Sequence, residues 1–482
     1  MNASARLAVG DDAEIKRLAA LHARQREAYA QAPYPPLAAR RAALKRLRAA
    51  LCRHQDLIAD AIDADFGGRA RFESKFVDVI GPVLEINHAL RSLRRWLRPR
   101  RRHTELLFTG NRATVRYQPK GVVGIIAPWN FPVYLALGPL TAALAAGNRA
   151  LLKLSEYTPA TTAAVRRLLA ECFGEDEVAV IGGGVAAAQA FSALPFDHLV
   201  FTGSPSVAPQ VLRAAAANLT PVTLELGGKS PAIIAPGADL RAAAVSIAHG
   251  KGLNAGQICV SPDYALVPQA SLESFATAVA AAFRALHPAT SGSSEYTAII
   301  TERHHARLQE LIADARAKGA RVTIAGTVGN DRRLPLHIIT GVSDEMRIAR
   351  EELFGPILPL IPYSDVAGAL RYIAARPRPL ALYSYGFHGA ALGALLDATH
   401  SGGVTVDDWA WHVFNHDLPF GGTGGSGYGS YHGEEGFREL SHARAVFGKR
   451  RLFPAGLFRP PYGTWVQRLV LRLYLGRAPT RP

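Results

Sequence analysis

The stretch GVVGIIAPWNFPVYLALGPLTAALAAGNRALLKLSE, residues 121–156, decides the fold class. Two short apolar runs, GVVGIIA and RALLKLS, flank the Ala/Leu-rich segment PVYLALGPLTAALAAG, which has helical length. The pattern repeats downstream, with strands in VAVIGG, HLVFTG and PVTLEL and helices in PATTAAVRRLLAECF, VAAAQAFSAL and VAPQVLRAAAANL. Strand–helix alternation of this kind predicts a parallel, doubly wound α/β sheet. Such sheets bind ligands at the carboxyl ends of their strands, so the residues just after each strand carry the information.

Working outward, a second alternating series runs from 228 to 405 through SPAIIAP, DYALVPQ, RVTIAG, PLHIIT, LPLIPYS and SYGFHG, and reads as a second α/β domain. Residues 14–98 carry apolar positions three and four apart and read as helices. TELLFTGNRATVRYQPKG, with its Gly-Asn turn, reads as a hairpin. The basic tail ends in a short amphipathic helix, with Val466, Leu469, Val470 and Leu473 on one face and Arg468 and Arg472 on another.

A chain of 482 residues with 49% hydrophobic and 20% charged residues exceeds one ordinary core, so two or more domains are expected. Its three cysteines show no pairing pattern and no CxxC metal spacing, which suits a reducing, cytoplasmic setting and predicts no metal. No segment offers the apolar run of a membrane span or a signal peptide. The net charge of +16 raises nucleic acid as a partner. The densest basic run, RSLRRWLRPRRRH, has almost no aromatic interleaving and no nucleic-acid motif around it, so a solvated helix end or a subunit contact is the expectation.

The strand ends then supply candidate chemistry. Asn130 in APWNFP can donate its amide to an oxygen that becomes negative, and Trp129 precedes it. Lys153 and Glu156 in KLSE suit phosphate or ribose hydroxyls. Gly203 and Ser204 in FTGSPSVAP form a glycine turn before a helix, a place for a pyrophosphate. Glu225 in LELGGKSP is a carboxylate on an apolar strand end, where burial disfavours the charged form and makes a general base. Cys259 in LNAGQICVSPDY sits in a Gly- and Asn-punctuated stretch, unlike Cys52 and Cys172, which fall inside helical patterns and read as packing residues.

The ordered set APWNFP, KLSE, FTGS, LELGGKSP, GQICVSPDY, EELFGP and LPFGGTGGSGYGSYHG, from about residue 120 to 433, closely resembles the aldehyde dehydrogenase superfamily. SGYGSYHGEEGF and the LFRPPYG tail look like its class 3 branch, with the coniferyl aldehyde dehydrogenases as the nearest subgroup. The resemblance implies oxidation of an aldehyde to the carboxylic acid, with Cys259 as nucleophile, Asn130 in the oxyanion hole and Glu225 as base for the deacylating water. It implies NAD as cofactor, with NADP tolerated, held by Trp129, Lys153, Glu156, Gly203, Ser204, Glu352 and Phe354. It also implies a Rossmann-type cofactor domain (1–103 and 121–227), a catalytic domain (228–405) and an oligomerisation arm with tail (104–120 and 406–482) in a homodimer. The tail is expected to gate the substrate funnel, or else to lie on a membrane surface. The aromatic residues Tyr134, Trp409, Trp411 and Phe414 are expected to line a pocket for a cinnamyl or benzyl aldehyde, or for an aliphatic chain.

Four departures accompany the match. Leu154 stands where the family usually has proline, and Pro205 and Ala208 alter the turn after FTGS, which puts cofactor affinity in question. Asp407 replaces a usual asparagine. The alternatives are a CoA-acylating relative and a non-catalytic homologue; Glu225 in the base position argues against the first.

Overall fold

A computed structural model describes residues 3–450, 453 and 455–476. The chain forms two units, the larger comprising residues 1–96 and 118–442 and the smaller 97–117 and 443–482.

The larger unit contains two sheets. In the first, Val122–Ile126 lies between Arg149–Lys153 and His198–Gly203, with Val178–Ile181 and Val222–Leu226 farther out on opposite sides. All five strands are parallel, and Gly427–Tyr428 adds an antiparallel edge against Val222–Leu226. The strand order reverses at Val122–Ile126, which opens a crevice at the carboxyl ends. These strands are nearly all buried because helices cover both faces, so they read as continuous apolar runs rather than alternating ones. Phe191, Phe196, Leu199 and Val211 pack into this core together with Leu18 and Leu21 of the first helix.

The second sheet has seven strands, in the order Arg321–Ala325, Leu336–Thr340, Ile357–Tyr363, Tyr264–Pro268, Pro231–Ile234, Ala381–Tyr385 and Gly403–Val406. Only the first pairing is antiparallel. One strand expected at SYGFHG begins earlier, at Ala381: Gly386 turns with φ 75°, which ends the strand at Tyr385.

The amino-terminal helices form as the periodicity requires, with a break at His54. Residues 74–80 wind more loosely, as a π-helix, before Gly81–Trp96. Pro139 is accommodated inside Tyr134–Ala146, every residue of which is buried.

The smaller unit corrects one expectation. Leu106–Phe108 is a single 3-10 turn, and Arg112–Pro119 pairs instead with Arg100–Arg101 and lies beside Ser441–Gly448. The Gly-Asn turn therefore joins a helical turn to a strand. Phe108 stacks with Phe453 and Phe458, which gives the turn its packing. The carboxyl-terminal helix Trp465–Leu475 starts at a capping box of Thr464 and Gln467, and Leu469 and Leu473 are exposed on it. Among the described residues no helix is long and apolar enough to cross a membrane.

Candidate active site

One cleft of about 930 Å³ opens at the carboxyl ends of the six-stranded sheet. Trp129, Asn130, Lys153, Glu156, Gly203, Ser204, Glu225, Cys259, Glu352 and Phe354 all line it. They come from the ends of four strands and from two loops of the second α/β region, so sheet topology is what gathers them.

The Cys259 loop is held from beneath. The helix Leu240–Gly252 leads into a turn in which Asn254 and Ala255 take φ 49° and 50°, strained values for residues with a Cβ. Buried hydrogen bonds hold that strain. Asn254 Nδ2 donates to the Asn130 carbonyl at 3.1 Å, and Gln257 Nε2 donates to the carbonyls of Asn254 at 2.9 Å and Ala298 at 3.2 Å. Tyr383 donates its hydroxyl to the Val260 carbonyl, and Ser261 donates its own to Gly250 at 2.9 Å.

Asn130 is 2% exposed and gives one amide hydrogen to the Gln257 carbonyl at 3.1 Å. A primary amide carries two, so a second donor remains. The Asn130 backbone carbonyl accepts from Arg69 at 2.8 Å, and Arg69 is paired at 3.2 Å with Asp78, both fully buried. Asp78 in turn accepts from the backbone N–H groups of Val133 and Tyr134 at 3.0 Å each, so one buried ion pair fixes the whole APWNFP turn.

The charge pattern is unusual. Burial, then the Glu352 and Glu225 carboxylates, push the Cys259 thiol up to about 12, against the pull of the Cys259 and Val260 backbone N–H groups. Burial pushes Glu352 up to about 8 and raises Glu225 well above the carboxylate range. Both Glu225 carboxylate oxygens and Glu352 Oε1 lack a hydrogen-bond partner within the protein. A buried polar atom without a partner costs about 1–3 kcal/mol, so the cleft is built to receive donors.

The far end of the cleft suits a dinucleotide. Lys153 is buried and donates to the carbonyls of Leu154 at 2.7 Å and Gly183 at 2.8 Å. Val185 and Val207 leave apolar surface exposed on either side, and the unpartnered Thr202 Oγ1 lines the cleft. Pro205 borders the cleft in the turn before the helix Ala208–Ala216, whereas the Ala208 methyl is buried in the core behind that turn. The added methyl therefore does not narrow the cleft.

The family model for the aldehyde dehydrogenase family matches residues 3–446. The chain belongs to the aldehyde dehydrogenase family. It is 48% identical over 96% of its length, and 97% of the relative's, to a probable coniferyl aldehyde dehydrogenase of Pseudomonas aeruginosa. It is 36% identical to mouse aldehyde dehydrogenase family 3 member B2, covering 92% of each chain. Among solved structures, the aldehyde dehydrogenase of Mycobacterium tuberculosis complexed with NAD+ superposes with a TM-score of 0.82 at 28% identity, covering 90% of each chain.

In this aldehyde dehydrogenase the four expected substrate-pocket aromatics are not brought together. Trp411 and Phe414 line a second cleft with Phe76, Ile80, Leu84 and His416. Trp409 is buried and spends its indole N–H on His249 Nδ1 at 3.0 Å. Tyr134 is buried as the first residue of its helix, its hydroxyl 3.5 Å from His432 Nε2. The two clefts are the real groupings; a list of nearby aromatics could not separate them. Asp407 takes φ 57°, a conformation that a short polar side chain tolerates, and accepts from the Gly386 N–H at 2.7 Å.

The residues that support the site carry no motif of their own. Lys229 and Asp263 stand inside the quoted motifs LELGGKSP and GQICVSPDY, and they pair with each other. Lys229 also donates to the carbonyls of Ile348 at 2.8 Å and Glu351 at 2.9 Å, while Asp263 accepts from the Leu353 N–H at 2.9 Å. That charged pair fastens the EELFGP loop. Its signal is one basic and one acidic residue set inside the two motifs beside Glu225 and Cys259.

Proposed function

We propose that the chain oxidises an aromatic, cinnamyl-type aldehyde such as coniferyl aldehyde to its carboxylic acid with NAD, NADP being tolerated. The observation that carries the reading is the convergence of Cys259, Asn130, Glu225 and Glu352 in one cleft with a dinucleotide-sized extension. The cinnamyl class rests on the 48% identity to the relative named above.

Cys259 Sγ attacks the aldehyde carbon, and the new oxyanion is held by the free Asn130 amide hydrogen and the Cys259 backbone N–H. Because the thiol is protonated in the resting site, the attack needs a base. Glu352, the first of the two carboxylates that press on it, takes that proton in its ionised form, which leaves Glu225 unprotonated for the later water. The hydride would leave the same carbon, NAD when bound being the group that would supply an acceptor for it. Lys153 and Glu156 would hold its adenosine ribose, Gly203 and Ser204 its pyrophosphate, and Glu352 its nicotinamide ribose, while Phe354, whose ring lies 5.3 Å from Trp129, would border the nicotinamide. The thioester left on Cys259 is cleaved by water that Glu225 deprotonates, which releases the acid and restores the thiol. The cysteine-poor composition supports a cytoplasmic setting, and the small sheet-and-tail unit supports a homodimer.

The test is reduced-cofactor formation over a panel from hexanal to benzaldehyde to coniferyl aldehyde. The highest kcat/KM for coniferyl aldehyde supports the reading; a preference for hexanal overturns the substrate class and leaves the chemistry standing.

A further inference from the structure

We propose that Glu85, His416 and His432 form a binding site for a divalent transition-metal ion of the Zn2+ type, outside the Cys259 cleft. Glu85 lies on the helix Gly81–Trp96, His416 follows the short turn Trp411–Phe414, and His432 precedes the helix Gly433–Glu439. One ligand atom from each lies within 4.8 Å of the others. Two imidazoles and a carboxylate are a donor set that suits zinc, whose ligands stand roughly 3.3 Å apart in a tetrahedral site. Closing the cluster asks for side-chain movements of about an ångström.

Solvation makes the case stronger than spacing does. Glu85, His416 and His432 are 3%, 7% and 0% exposed. Glu85 Oε2, both ring nitrogens of His416 and Nδ1 of His432 have no hydrogen-bond partner. Three buried side chains that each hold an orphaned polar atom and bring ligand atoms within 4.8 Å of one another are rare in a folded core, where such groups are nearly always paired. A cation at their centre would satisfy one atom from each side chain at once.

The surroundings fit the same reading. His432 keeps Nδ1 for the ion while Nε2 lies 3.5 Å from the Tyr134 hydroxyl, the outer partner that orients a metal-bound imidazole. A Cβ on Gly138 would come within 3.0 Å of Glu85 Oε2, so glycine there leaves the carboxylate its room. His416 also lines the second cleft, of about 490 Å³, which gives an ion a way in from solvent. The sequence shows no metal spacing because the three ligands come from separate segments. The inference does not depend on the substrate assigned above.

The experiment loads metal-stripped full-length protein with Zn2+ alone or Co2+ alone, removes excess by dialysis and counts metal per chain, with thermal melting in parallel. One equivalent per chain and a melting temperature raised by several degrees are expected, retained in Cys259→Ala and lost in both Glu85→Gln and His416→Ala. No stoichiometric binding by the wild-type protein overturns the site, as does binding that needs Cys259 or survives both ligand substitutions. Should the two variants fail to fold, the wild-type Co2+ spectrum decides: visible ligand-field bands without thiolate charge transfer support the site, and thiolate charge transfer overturns it.

Discussion

A Cβ placed on Gly256 would lie 2.6 Å from the carbonyl oxygen of Gly355, so the loop that bears Cys259 and the loop that bears Glu352 touch backbone to backbone. Gly256 also has φ 69°, a second reason that only glycine serves there. Gly256→Ala must separate the two loops. It is expected to cost about 2 kcal/mol in urea unfolding and to lower kcat more than it alters cofactor affinity. Unchanged turnover would mean that the loops need not touch.

The buried pair of Arg69 and Asp78 makes a different prediction. Asp78→Asn removes the carboxylate in contact with the buried guanidinium, leaving it only the through-space pull of Glu73, while keeping the shape of the site. Breaking such a pair from one side costs about 3–5 kcal/mol. The urea midpoint should fall accordingly, and kcat with it, because the Asn130 carbonyl hangs on Arg69. A change below about 1 kcal/mol would show that the pair is dispensable.

Thiol reactivity follows from the charges around Cys259. With the thiol pushed up to about 12, the thiolate fraction of the cofactor-free protein rises about tenfold per pH unit through the neutral range. Alkylation by iodoacetamide should therefore accelerate steadily from pH 7 to pH 9 with no plateau. Glu352 titrates near 8, so above that pH its negative charge holds the thiol up. Glu352→Gln removes that charge and should speed alkylation above pH 8 while changing it little at pH 6.5. A plateau near neutrality would contradict the charge pattern.

Glu225 has both carboxylate oxygens free to meet a water. Glu225→Gln should slow steady turnover by roughly 10²–10⁴-fold and leave a stoichiometric burst of reduced cofactor. Loss of the burst as well would place Glu225 earlier, at activation of the thiol.

Much of this was legible because chemistry and topology coincide. Asn130, Lys153, Gly203 and Glu225 each follow or end a strand, and fully buried parallel strands announce themselves as apolar runs. What stayed hidden depends on side-chain direction. Trp409 and Trp411 are two residues apart, yet one is buried against His249 and the other faces a cleft. The stretch at Leu106 has strand-like composition but little to pack against as a strand, with Leu106 itself 71% exposed, and its turn chemistry prevails. Arg69, Asp78, Asn254 and Gln257 act through buried hydrogen bonds across long sequence separations, which no local pattern reports.

The most direct test of the account is the burst of reduced cofactor from coniferyl aldehyde and NAD in the wild-type protein and in Cys259→Ala, with NAD binding followed by calorimetry. The account predicts a burst near one equivalent per active site in the wild type. In Cys259→Ala it predicts turnover lower by roughly 10⁴-fold or more, with NAD affinity within about threefold of wild type. Turnover retained by Cys259→Ala would contradict the central claim that this thiol forms the bond to the aldehyde.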